Sequence, residues 1–467
     1  MAQSRATYLL NNTLIFALSN IGTKLITFFL VPLYTYTLTA AEYGVADLVT
    51  TITFVLAPIL TLNLAESVAR FPLDEGADAG KIMTVGAIVL VLSSVVGLLI
   101  MPVSQLFESV ADYAVLIYLY CIATSAFTML QCFLRGTEKL RAMAVSNILN
   151  TALTALLNIL FLVVLGWGVS GYLLAYIVAM FASSVFAAIS GGLVKYLRHP
   201  VIDRELARQM IRYSVVLIPN TFMWWIINSS SRVVVAALIG SAANGMLAVS
   251  YKLPSIVTVV SNTFTQAWTY SAIHEDASED RDRFTSTVLD KMLTVLGLVT
   301  VLLLANIKWL TALYVAPAYV ESWHYSTWLL AGNLMLTLGT FLSTPYYVHK
   351  DGKGLLLCGM MGAVMNVVVM LALVPFAGLT GSVVATFASY AAVCLFCFFH
   401  TKKYVGVHVR LCRHSPTIIS VALLVCSSTW FDGLYTPIAV ACTVATCASY
   451  WRTFKAALNT IVLRFAR

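Results

Sequence analysis

Polar residues fall in short breaks along the chain. The stretches between them are apolar over about 20 residues, the length that crosses a bilayer as a helix. This pattern predicts helices at 9–33, 43–69, 82–103, 113–134, 142–165, 171–194, 213–240, 246–269, 286–306, 323–348, 354–376, 380–400, 416–431 and 437–456. A helix satisfies its own backbone hydrogen bonds, so it is the form such segments take in lipid. The expected fold is all-α: a polytopic membrane protein of about fourteen spans, the thirteenth being short and ending at Asp432–Gly433.

The order of polar breaks also suggests that helices one to six repeat as helices seven to twelve. "GVSGYLLAY" from Gly168 matches "GLTGSVVAT" from Gly378, before helices six and twelve. "AAEYGVADLV" from Ala40 matches "SAANGMLAVS" from Ser241, between helices one and two and helices seven and eight. Acidic inner loops, "LDEGAD" and "HEDASED", follow helices two and eight. The expected organisation is two pseudo-symmetric six-helix bundles, residues 1–200 and 201–405. Two further helices and a cytoplasmic tail follow at 406–467. Halves related about the membrane normal commonly rock around a central site.

Composition agrees with this picture. Of the 467 residues 60% are hydrophobic and 10% charged, with a mean hydropathy of +0.88. Soluble domains carry about 25% charged residues. The net charge of +8 does not point to nucleic acid, because the basic residues sit in loops on one side. With the N-terminus inside, 23 of the 28 Lys and Arg fall on inner segments and one, Lys308, on an outer loop. That asymmetry predicts cytoplasmic termini. The nine cysteines form no spaced ligand set; Cys394 and Cys397 lie on an apolar helix, where packing explains them. Gly166, Gly168 and Gly171 spell GxGxxG without a preceding strand, which reads as a turn. No Walker-type loop and no HExxH are present, and neither a cofactor nor a metal is expected.

Three spans carry polar stripes. Helix one places Asn20, Lys24 and Thr27 on one face, and helix seven runs Asn220, Trp224, Asn228 and Arg232 at four-residue steps. Helix eight aligns Lys252, Ser255, Asn262 and Gln266. At about 1.5 Å per residue the three cations lie roughly 9 to 13 Å below the outer helix ends. A cation at mid-membrane costs on the order of 2.5 to 3.5 kcal/mol, so water or a counter-charge is required. Lys24 and Arg232 read as lining a wet cavity. Lys252 reads equally as lining or as snorkelling to the outer interface. Asp47 and Glu66 are the candidate acids for ion coupling, although Asp47 also reads as a neutralising partner for one of the cations. Such a cavity suits an anion: arginine grips phosphate through paired hydrogen bonds and lysine adds a point charge.

The stretch "GTKLITFFLVPLYTYTLTAAEYGVADLV" at Gly22–Val49, the two GxxG turns and the six-plus-six-plus-two arrangement carry a family resemblance. They resemble the polysaccharide-transporter (Wzx-type) flippases of the multidrug/oligosaccharidyl-lipid/polysaccharide (MOP) exporter superfamily. The resemblance implies flipping of an undecaprenyl-diphosphate-linked oligosaccharide from the cytoplasmic to the periplasmic leaflet of a bacterial inner membrane. It further implies alternating access, a lipid-tail groove beside helices thirteen and fourteen, and a polysaccharide polymerase and a chain-length regulator as partners. O-antigen lipopolysaccharide, capsule, exopolysaccharide and enterobacterial-common-antigen pathways fit equally. The lipid II flippase MurJ typically has an Arg-Asp pair in helix one, whereas Lys24 is followed by Leu25 here. A cation-coupled drug or metabolite exporter is the rival transporter reading. A membrane glycan polymerase or ligase is the rival enzyme, and its customary large outer loop is missing: residues 307–322 offer only Lys308 and Glu321.

Overall fold

The computed structural model describes residues 23–465 except 25, 103–109, 198–200, 277 and 409–410. Among the described residues all regular structure is helical. The chain runs through α1 (Ile26–Thr37), α2 (Ala40–Leu60), α3 (Leu64–Arg70), α4 (Ala79–Ile100), α5 (Ala114–Gly136), α6 (Leu140–Asn158), α7 (Gly168–Ser190) and α8 (Leu193–Leu197). It continues through α9 (Arg204–Leu238), α10 (Ser241–Ser250), α11 (Lys252–His274), α12 (Arg281–Tyr314), α13 (Ser322–Leu342) and α14 (Thr344–Val348). The last are α15 (Gly352–His400), α16 (Leu411–Trp430) and α17 (Tyr435–Phe465). Among the described residues, eight helices are both long and apolar enough to cross a membrane. The other expected spans fall on α1, α10–α11, α13–α14, α16 and α17, and α15 carries two of them. The fold is that of an all-helical, multi-pass integral membrane protein.

Short polar signals set the helix starts. Thr39 caps α2 in a reciprocal box with Glu42. Asp78, Asp203 and Asp351 accept first-turn amides of α4, α9 and α15. Two expected spans are interrupted. Span two breaks between α2 and α3, where Leu62 and Asn63 take positive φ values of 53° and 55°. The break follows Pro58, which has no N–H for the helical ladder. Span eight breaks at Tyr251, between α10 and α11, just before Pro254.

Two pairs of glycines from the matched motifs share local geometry. Gly168 and Gly378, which open the matched motifs, have φ values of 54° and 56°, a region that favours glycine. Gly378 thereby breaks α15 between its two spans. Matched Gly44 and Gly245 meet each other reciprocally. A Cβ on Gly44 would lie 1.8 Å from the Ser241 carbonyl oxygen, and one on Gly245 would lie 2.0 Å from that of Ala40. Ser241 aligns with Ala40 in the matched motifs, so the two close approaches are reciprocal. The Asn244 side-chain amide adds a 2.7 Å hydrogen bond to the Gly44 carbonyl.

The chain divides into two compact units: residues 1–225 with 232–245, and residues 226–231 with 246–467. In the first, Leu64, Val68, Ile82, Met129, Phe133 and Met210 form a buried core. In the second, Trp268 stacks on Phe341 with ring centroids 4.6 Å apart. A seam of short polar residues joins α9 to α15: Ser230 donates to Asn366 at 2.9 Å, and Ser231 pairs with Thr386 at 3.1 Å.

Candidate functional site

In the first unit, α2 and the last two turns of α9 bring Asp47 and Arg232 together. Arg232 Nε lies 3.4 Å from Asp47 Oδ2, with side-chain exposures of 21% and 7%. The Arg232 guanidinium also donates to Thr51 Oγ1 at 3.3 Å. Thr51 stands one turn beyond Asp47 on the same face of α2. Its carbonyl accepts the Trp225 indole N–H at 3.2 Å, and Trp225 stacks on Phe222. A largely buried arginine is therefore held by a carboxylate and a hydroxyl, and Trp225 fastens the same turn of α2. The bonds made by Asp47 and Thr51 are ones that a phosphate could also offer a guanidinium.

Lys24 and Thr27 are exposed, and the Thr27 hydroxyl folds back onto the Thr23 carbonyl. Asn20 lies outside the described residues. Asn220 is half-buried; its Oδ1 is buried and makes no hydrogen bond among the described residues. Asn228 accepts the Tyr390 hydroxyl at 2.9 Å and so joins the α9–α15 seam. Lys252 is half-buried at the start of α11, where its carbonyl accepts the Ser255 hydroxyl. Ser255 and Asn262 are exposed, and the side chain of Gln266 lies outside the described part. Glu66 is exposed on α3. Of the two expected coupling acids, Asp47 is thus occupied by a cation. Among the described residues no group of three or more His, Cys, Asp or Glu gathers as a metal site. Cys397 lies 3.2 Å from Cys358, both thiols buried in the second unit.

A second carboxylate was missed by the sequence reading. Asp290 on α12 accepts Arg413 Nη1 at 2.7 Å and contacts His414 Nε2 at 2.8 Å. Asp290 lies inside the expected span 286–306, and a carboxylate in an apolar stretch was the signal that marked it.

Residues 9–274 match the family described as "Polysaccharide biosynthesis protein", and the chain belongs to that family. No curated protein sequence matches it. Among solved structures it is similar to the lipid II flippase MurJ in an inward closed conformation. That likeness has 12% identity, 94% of this chain and 99% of the other covered, and a TM-score of 0.66. It is similar to an inward-facing multidrug resistance MATE transporter of the MOP superfamily at 15% identity, 87% and 94% coverage and a TM-score of 0.62. A MOP superfamily transporter from Pyrococcus furiosus, for which a reversed polarity of the binding pocket is described, matches at 17% identity, 84% and 93% coverage and a TM-score of 0.54. The family places the chain in polysaccharide biosynthesis, and the structural likenesses show that it shares the fold of these transporters.

Proposed function

We propose that the protein flips an undecaprenyl-diphosphate-linked oligosaccharide from the cytoplasmic to the periplasmic leaflet of a bacterial inner membrane by alternating access. Arg232 carries this reading: it is a fixed cation within a span, held by a carboxylate and a hydroxyl that a diphosphate can replace. Lys24, exposed in the same unit, adds a second positive charge, and Lys252 is a further cation of this scheme. Asn20, Thr27, Asn220, Asn228, Ser255, Asn262 and Gln266 serve the sugar hydroxyls in this scheme. Its partners are a polysaccharide polymerase and a chain-length regulator.

The direction suits an anion, since an inside-negative potential of about 100 mV favours each exported charge by about 2.3 kcal/mol. Undiminished net flipping in vesicles clamped at zero potential would remove this electrical drive. The site itself is tested in cells: Lys24→Ala and Arg232→Ala are expected to abolish surface glycan while the protein stays in the membrane. Normal surface glycan in both variants contradicts the cargo site. A cation-coupled exporter is less well served, because Asp47 is engaged by Arg232 and Glu66 is exposed.

A further inference from the structure

The polar start of α9 carries an arginine stripe that the cargo site does not use. Arg204, Arg208 and Arg212 follow one another at four-residue steps, and each step turns the helix face by only about 40°. All three are exposed, and among the described residues their side chains make no hydrogen bond and no ion pair. The acids beside them in the chain are engaged elsewhere. Asp203 caps α9 and pairs with Lys81 at 3.1 Å, and Glu205 accepts the Gln209 amide at 3.1 Å. The opposite face of α9 is packed. Met210 and Ser214 are fully buried, and Ser67 of α3 bonds the Met210 carbonyl and the Ser214 hydroxyl, both at 2.6 Å. Leu206, Ala207 and Ile211 lie against the core of the first unit. This packing fixes the arginines on the outside, where they line an open groove of about 1030 Å³ with Ile202, Val215 and Val216.

The level of the stripe selects its ligand. The span expected at 213–240 starts just after Arg212, and the exposed Val215 and Val216 carry the same face into hydrocarbon. A four-residue step rises about 6 Å, so Arg208 and Arg204 lie about 6 and 12 Å further from the lipid core than Arg212. Side chains on a helix lean toward its N-terminus, here away from the core, which carries the Arg212 guanidinium into the headgroup layer. That layer is only about 5 to 7 Å thick on each side. The stripe is therefore taller than one sheet of phosphates. Ordinary phospholipids set their phosphates side by side in that sheet. A lipid diphosphate stacks two in series along the membrane normal, and arginine meets each through paired hydrogen bonds.

We propose that Arg204, Arg208 and Arg212 form a capture site for a lipid that bears two phosphates in series. The site is separate from the Asp47–Arg232 pair, since Arg232 lies about 30 Å further along α9 than Arg212. The inference rests on the transport reading for its cargo and for the cytoplasmic placement of this helix end. Arg212 and Arg208 meet the phosphate joined to the lipid, and Arg204 meets the one joined to the glycan. The hydrocarbon chain stays in the bilayer beside Val215 and Val216. The step is binding alone, with no covalent bond made or broken. Because the guanidiniums stand in water, salt screens them and the hold is weak enough to release the lipid to a more buried site.

The test titrates undecaprenyl diphosphate and phosphatidylglycerol against the purified full-length protein in detergent, with binding counted by native mass spectrometry. An Asp47→Asn, Arg232→Gln background removes the cavity pair, so that binding reports the start of α9. Adding Arg204→Gln, Arg208→Gln and Arg212→Gln is expected to weaken diphosphate binding at least about tenfold and phosphatidylglycerol binding less than about twofold. If the triple change is not recovered from membranes, Arg208→Gln alone decides, with about threefold weakening of diphosphate binding expected. No diphosphate binding in the parent background, or equal binding with and without the arginines, overturns the proposal. Equal weakening for phosphatidylglycerol also overturns it, since the stripe would then only attract an anionic surface. Capture of the diphosphate by the arginines in a protein that flips no glycan in vesicles leaves the site standing and counts against the transport reading alone.

Discussion

Asp47 in the first unit and Asp290 in the second both sit on apolar helices facing an arginine, yet they are held differently. Asp47 has Arg232 as its cation and is 7% exposed. Asp290 keeps 19% exposure and is shared between Arg413 and His414. Arg413 is itself 37% exposed, against 21% for Arg232. A carboxylate with one buried counter-ion is a tight charge pair, costly to break and open to replacement by another anion. A carboxylate with two partners tolerates the loss of either.

The largest effect expected from this contrast is at the first pair. Arg232→Ala strands the buried Asp47 carboxylate and should destabilise the protein by about 3 kcal/mol, read as a lowered thermal midpoint in detergent. The double variant Asp47→Asn with Arg232→Gln should recover most of that loss, because no charge is stranded. An equal loss in the double variant would mean that the pair is not the unit of stability. Arg413→Ala should cost only about 1 kcal/mol, because His414 still meets Asp290 and the arginine is partly solvated. A cost equal to that at Arg232 would erase the distinction between the two carboxylates. Tyr390→Phe removes one hydrogen bond from Asn228 and should cost about 1 kcal/mol or less. Unchanged surface glycan in that variant would assign Asn228 to the α9–α15 seam rather than to the cargo.

The smallest effect concerns Asp351, outside the spans. The Gly354 N–H, then the Tyr404 hydroxyl and Lys403, hold its carboxyl well below the usual carboxylate range. A lowered folded-state pKa adds stability above the unfolded value of about 3.9 and loses it as pH falls further. Asp351→Asn should therefore lower the thermal midpoint slightly at pH 7, with the difference from wild type shrinking below about pH 4. A difference that persists in acid would point to packing instead.

The spans were legible because hydropathy alone sets them, and the glycine motifs marked Gly44 and Gly245, which the structure brings together. Arg232 stood out through its four-residue steps along α9. The interruptions of spans two and eight were not foreseen, although Pro58 and Pro254 marked their neighbourhoods. Periodicity also cannot pair residues far apart in the chain. Asp290 and His414 are separated by 124 positions, and His414 lay in a segment read as a loop before span thirteen. Asn228 shows the same limit: the regular stripe gives no sign that the Tyr390 hydroxyl, distant in sequence, donates to that amide.

The most direct measurement follows flipping of a labelled polyprenyl-diphosphate oligosaccharide by vesicles containing either the wild type or the charge-neutral Asp47→Asn, Arg232→Gln double variant. The account predicts that the double variant is folded but flips at least about tenfold more slowly, because the phosphate has lost its charge-assisted partner. Flipping at the wild-type rate by a protein without that guanidinium would contradict it.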